Sequence, residues 1–210
     1  MRRGLPLPVM VVNSMDFIDL AQHCAPTVAP QTLAAIVKQE SGFRPLAIGI
    51  NGGARLERQP GNVGEAVATA KWLIEKGYNI DLGLGQLNVK NVVKMGLSIE
   101  DTFDSCKNLA ASAQILTESF QGAKRSTSND QVALRAALSM YNTGSYTRGF
   151  ENGYVQNVLA KAGDKKPNYE PIPLARSNSV GTARKATKTA RANLPMWAPV
   201  ADHSTEMVYR

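Results

Sequence analysis

One glutamate in this 210-residue chain sits where its neighbours ask for an apolar side chain. Leading into IVKQESGFRP, residues 36–45, Leu33, Ile36, Val37 and Glu40 recur at i, i+3, i+4 and i+7, the spacing of one helix face. Pro30 suits a first helical position and Gly42 a C-terminal cap, so the pattern predicts a helix over about 30–41 with Glu40 in its last turn. Taken alone, a solvated carboxylate in a frayed turn is the plainer reading. If the apolar face stays buried, desolvation lifts the acid from about 4.3 toward roughly 6. A second stripe ends in the same way, since Leu134, Ala137, Leu138 and Tyr141 repeat the spacing and place a phenol at a helix end. Between the two lies a glycine-rich turn with a polar amide, GLGQLN at 83–88. A retained proton, a phenol and backbone amides bared by small residues suit the cleavage of a glycosidic bond, whose oxygen leaves poorly until it is protonated.

The elements that must position these groups are nearly all helical. Phe17, Leu20, Ala21 and Cys24 form a stripe after Ser14, a candidate N-cap. Residues 42–63 are rich in Gly and Pro and read as a surface excursion, followed by a helix over about 64–76 and another ending near Gly96. Ser98 and Asp101 have the S-x-x-D form of a helix start, and Asp104 caps the next helix, with its stripe at Leu109, Ala113, Leu116 and Phe120. A helix after Asn129 carries Tyr141, and a last one carries Val155, Val158, Leu159 and Ala162 before Gly163. Strand alternation is scarce. The expected fold is a mainly α domain over 15–162, with one short β-hairpin around 43–60. Residues 1–14 are set apart as a leader, and 163–210 as a flexible, basic, Pro- and Ser-rich tail.

The formal charge of +7 suggests an anionic partner until its distribution is considered. Residues 15–162 hold 14 Lys/Arg against 13 Asp/Glu, whereas 163–210 hold 8 against 4, so the basicity belongs to the ends. Nucleic acid is accordingly an unlikely partner, confined to a reading of residues 176–191. Two histidines, His23 and His203, and two cysteines are too few for a metal-ligand cluster, and neither metal nor cofactor is expected. Cys24 and Cys106 are either a disulfide pair, which requires an oxidising compartment, or two buried thiols. No apolar run reaches the roughly 20 residues of a membrane span. The start, MRRGLPLPVMVVN, has the arginines and apolar stretch of an export signal but contains two prolines and lacks a clear A-x-A site.

ESGFRP at 40–45, GLGQLN at 83–88 and AALSMYNTG at 136–144 resemble, in order, the three motifs of lytic transglycosylases with a goose-type-lysozyme-like fold. The insertion between the first two, including GGARLERQP, resembles that of the transglycosylases encoded with type IV secretion and conjugation systems. The resemblance covers about residues 17–162. It implies a periplasmic enzyme acting on peptidoglycan, with Glu40 as sole acid/base. Glu40 would protonate the oxygen between N-acetylmuramic acid and N-acetylglucosamine, then take the proton of the muramic O6 as a 1,6-anhydro ring closes. It further implies that Gln86 and the backbone of Gly83, Leu84, Gly85 and Leu87 line the groove. Tyr141 would hydrogen-bond near Glu40, and Asn142 would hold sugar or backbone. Ser41 would support the acid, more by shaping the turn than by touching substrate. Two positions depart from the family pattern: Gly49 stands where a Ser often contacts substrate, and Gly85 where a Met usually forms an apolar wall.

Two other readings remain beside this one. Asp81, just before GLGQ, is the candidate second carboxylate of a hydrolytic, lysozyme-like muramidase, or else a solvated loop residue. The alternative from another class is a peptidoglycan-binding assembly module whose tail docks secretion components. Arg184, Lys188 and Arg191 would share one face there, and MWAP at 196–199 would act as an anchor.

Overall fold

The computed structural model describes residues 14–163, so the leader and the tail lie outside the described residues apart from Ser14 and Gly163. Within that range the helical stripes become α1 (Ser14–Cys24), α2 (Pro30–Glu40), α3 (Val63–Glu75), α4 (Val89–Lys94), α5 (Ser105–Lys124), α6 (Asp130–Thr143), α7 (Arg148–Glu151) and α8 (Tyr154–Ala162). Side-chain caps start several of them. Asn62, Asn88, Asp104 and Asn129 each accept a backbone N–H of the helix that follows. Ser98 and Asp101 cap one another reciprocally, but the element they open is only a 3-10 turn at Asp101–Phe103. α5 continues one turn beyond Phe120, the last residue of its expected stripe, to Lys124.

The main core is formed by the buried faces of α1, α2, α5, α6 and α8, including Phe17, Leu33, Ile36, Leu109, Leu116, Leu134, Leu138, Val155 and Val158. α5 packs along α6, and α8 closes over α2. Cys24 at the end of α1 and Cys106 at the start of α5 are joined by a disulfide with their Cα atoms 5.1 Å apart.

A second core lies under a small antiparallel sheet of β1 (Ile48–Ile50), β2 (Ile80–Leu82) and β3 (Leu87–Asn88), in that order. Among the described residues β2 and β3 form the one short hairpin, and it lies later than expected. β1 does fall in 43–60, yet it pairs with β2 across α3, Ile48 opposite Leu82 and Ile50 opposite Ile80. Three residues of alternation are too few to name a partner, and the excursion after β1 contains none. Instead it folds back so that Gln59 pairs with the free edge of β1: its Oε1 accepts from Ile48 N at 2.8 Å and its Nε2 donates to Ile48 O at 3.0 Å. Ile48, Ile80 and Leu82 face the core, which leaves Gly49, Asp81 and Asn88 in a row on the opposite face.

Candidate active site

Glu40 is the last residue of α2, and the chain turns sharply away after it. Ser41 N and Gly42 N both donate to Val37 O, Gly42 is left-handed at φ 60°, and Phe43 is left-handed too at φ 63°. A phenylalanine in that region is strained. Its ring is held edge-on against Phe17, centroids 5.1 Å apart. Ser41 is buried and its Oγ donates to Val37 O at 3.3 Å, so it finishes the helix rather than facing a groove. Arg44 Nε donates to Ser41 O at 2.9 Å and fastens the turn from outside.

The carboxyl of Glu40 is half-buried and pushed up to about 7. Burial is the main cause, the nearby charge of Asp81 adds to it, and a hydrogen bond from Tyr154 opposes both. Tyr154, the first residue of α8, donates its hydroxyl to Glu40 Oε1 at 2.5 Å. Tyr141 lies near enough for the Glu40 charge to act on it, but its hydroxyl donates elsewhere, to Gly85 O at 2.7 Å. Both phenols are held above the ordinary tyrosine range, first by burial and then by Glu40, so both remain protonated donors. Tyr154 is therefore the immediate partner of the acid, and Tyr141 fixes the glycine-rich turn beside it.

Three amides of that turn are used within the protein. Gly83 N donates to Ala47 O, Gln86 N to Gly83 O, and Gly85 N to Asn108 Oδ1 at 2.8 Å. The glycines are there because the neighbours approach too closely for a side chain. A Cβ on Gly83, at φ 76°, would collide with Thr102 O, and one on Gly85 with Ser112 Oγ. Gly85 thus leaves no gap beside it; Ser112 and Tyr141 fill the space. The side chains of Leu84 and Leu87 are buried in the hydrophobic cores. Gln86 is left-handed at φ 50°, and its amide folds back to donate to Ala47 O at 3.1 Å and Gly83 O at 2.9 Å. Its Oε1 would lie 2.5 Å from a Cβ at residue 49, so Gly49 makes room for Gln86.

Asp81 sits on β2, not in a loop. One carboxylate oxygen accepts from Asn51 Nδ2 at 2.9 Å and the other from Asn88 Nδ2 at 2.7 Å. Each oxygen thus accepts from one neighbouring amide, which fixes the direction of the carboxylate and leaves a further lone pair on each oxygen. Asn142 is exposed, and its Oδ1 accepts from Asn152 Nδ2 at 3.1 Å, which ties the end of α6 to the turn before α8. Among the described residues no cluster of three or more His, Cys, Asp or Glu is placed to hold a metal ion.

A half-buried acid at the end of a helix, in a helical body that carries a small sheet, is the lysozyme-like arrangement. The transglycosylase SLT domain family matches residues 19–162. The chain belongs to that family. It is a lytic transglycosylase, an enzyme of peptidoglycan glycan strands. It is 44% identical over 178 residues to the "Type IV secretion system protein virB1" of Brucella suis biovar 1, covering 82% of this chain and 74% of that protein. It is also 39% identical over 152 residues to the "Protein virB1" of Rhizobium radiobacter, covering 72% and 62% respectively. No solved structure matches the chain.

Two residues of this candidate site escape a reading by motif. Tyr154 begins a helix whose apolar stripe was legible, and a polar-tipped residue beside Val155 on that buried stripe was the available signal. Asn108 is fully buried next to Leu109, and it donates to Leu82 O at 3.0 Å and Thr102 O at 2.8 Å while accepting from Gly85. An asparagine at a helix position this close to a core stripe calls for partners of this kind.

Proposed function

We propose that the transglycosylase cleaves the bond from N-acetylmuramic acid C1 to N-acetylglucosamine O4, with Glu40 as its sole acid/base and a 1,6-anhydro end as product. The observation that carries this reading is the Glu40 carboxyl, half-buried, pushed up to about 7, with a phenol as its hydrogen-bond donor. Near neutral pH a large fraction of it holds the proton that the glycosidic oxygen needs. As the C1–O4 bond breaks, that proton goes to O4 and the glucosamine leaves as an alcohol. The carboxylate then accepts the proton of the muramic O6 hydroxyl while O6 bonds to C1. The ring closes, the acid is regenerated, and no water is consumed.

The match of residues 19–162 to the transglycosylase family favours this route over a hydrolysis that uses Asp81 as second carboxylate. Gln86, Tyr141, Asn142 and Ser41 support the reaction mainly by holding the groove in shape. Product analysis of peptidoglycan digested by the wild type and by Glu40→Gln tests the assignment. Anhydromuropeptides from the wild type alone are expected; reducing ends, or products that survive the substitution, would overturn it.

The family supports a role in opening the cell wall, the Brucella relative's name supports its doing so for a type IV secretion apparatus, and the Cys24–Cys106 disulfide supports an oxidising compartment, the periplasm. In this reading residues 163–210, which carry Arg184, Lys188 and Arg191, dock secretion components. Their deletion is expected to abolish secretion while sparing glycan cleavage; unchanged secretion would refute the docking role.

A further inference from the structure

An asparagine followed by glycine carries an electrophile and a nucleophile within reach of each other. The glycine's backbone nitrogen can close a small ring onto the side-chain carbonyl carbon, and no side chain stands in the way. The chain has two such pairs, Asn51–Gly52 and Asn152–Gly153. The other asparagines among the described residues precede Val, Ile, Leu, Asp or Thr, whose side chains crowd the attacking nitrogen.

The fold treats the two pairs differently. In Asn152–Gly153 every reacting group is engaged. Asn152 Oδ1 accepts from Tyr154 N at 3.0 Å and its Nδ2 donates to Asn142 Oδ1 at 3.1 Å, while Gly153 N donates to Phe150 O at 3.3 Å. Asn51 instead follows β1 in an exposed turn. Its backbone N donates to Asn79 O and its Nδ2 to Asp81 Oδ2, both at 2.9 Å, so the residue is held against β2. Its Oδ1 and the Gly52 N–H have no hydrogen-bond partner among the described residues. No atom lies within 4 Å of a Cβ built at Gly52 or Gly53, which leaves the backbone room to turn.

We propose that Asn51–Gly52 is a site of self-modification, where the chain converts Asn51 to aspartate and isoaspartate and so removes one of the two amides that hold Asp81. Gly52 N gives up its proton and bonds to Asn51 Cγ. The Cγ–Nδ2 bond breaks, and Nδ2 leaves with a proton as ammonia. Water then opens the cyclic imide, at Cγ to give aspartate or at the backbone carbonyl to give isoaspartate. In the aspartate product a carboxylate stands where an amide donated to Asp81 Oδ2, and like charges at that distance repel. Asn88 alone then keeps its amide on Asp81, at 2.7 Å on the other oxygen.

Peptide mapping of the full chain, sampled at intervals at mildly alkaline pH, tests the site. Fragments with position 51 should gain the mass of an amide-to-acid exchange and split into aspartate and isoaspartate forms. Hydroxylamine, which traps the imide, should cut the chain after position 51. Each amide has one acceptor to give up, but at position 152 two further hydrogen bonds oppose ring closure, so conversion there is expected to be roughly thirtyfold slower. In urea the two positions should react at similar rates. Asn51→Gln keeps an amide but needs a larger ring, and should stay unmodified. In isotope-labelled protein, conversion should erase the Asn51 side-chain amide signals and shift those of Asn88. Equal rates at 51 and 152 in the folded chain would overturn the proposal, as would a position 51 that converts in urea but not when folded. Unmoved Asn88 signals in converted protein would refute the release of Asp81.

Discussion

At Glu40 two opposing influences meet: burial favours the neutral acid, and the Tyr154 hydroxyl favours the carboxylate. The donor role proposed for the acid requires its proton, so kcat/KM is expected to fall as pH rises through about 7. Tyr154→Phe removes the influence that lowers the pKa. The falling limb should then move to higher pH, by on the order of one unit. A pH–rate profile of the two proteins checks this, and a limb that stays put or moves down would show that the hydrogen bond does not control the acid. The same carboxyl affects stability. Its folded value of about 7 stands above its ordinary 4.5, so between those pH values the folded state holds a proton that the unfolded chain has released. Stability is lost as pH rises across that window, up to about 3 kcal/mol in full above pH 7, and nothing is lost below 4.5. Glu40→Gln is accordingly expected to raise the urea midpoint at pH 8 and to leave it unchanged at pH 4.

Asn108 works at the scale of the element. One side chain at the start of α5 holds the end of β2, the 3-10 turn and the glycine-rich turn together, through Leu82 O, Thr102 O and Gly85 N. Asn108→Ala leaves these buried groups without partners and is expected to cost about 3 kcal/mol or more in urea unfolding. A loss below about 1 kcal/mol would mean that the turn is held by Tyr141 and the glycines alone. The helices that end at Glu40 and Tyr141 were legible because their stripes run for several turns. The sheet was not, because β1 has three residues and its partner lies beyond α3.

Across the whole domain the Cys24–Cys106 bridge closes a separation of 82 residues and ties the first helix to the central α5. Loop-closure entropy puts its contribution at about 4.5 kcal/mol. Reduction, or a Cys24→Ala/Cys106→Ala double variant, should lower the urea midpoint accordingly, with little effect on the Glu40 pH limb because the bridge makes no contact with the acid. A bridge-free protein of unchanged stability would contradict this.

The sequence alone determined the mainly helical fold, the helix that carries the acid and the three motifs that mark the family, because each depends on spacing within one short segment. Which polar groups meet was decided only by tertiary structure. Tyr154 reaches Glu40 across 114 residues and Tyr141 reaches Gly85 across 56, and local periodicity carries no information about such meetings. The glycines illustrate the same limit. Gly83 and Gly85 read as bared backbone, whereas packing shows them to be positions where Thr102, Asn108, Ser112 and Tyr141 come too close for a side chain. A residue's type reports how much room it needs, and only its neighbours in space show what fills that room.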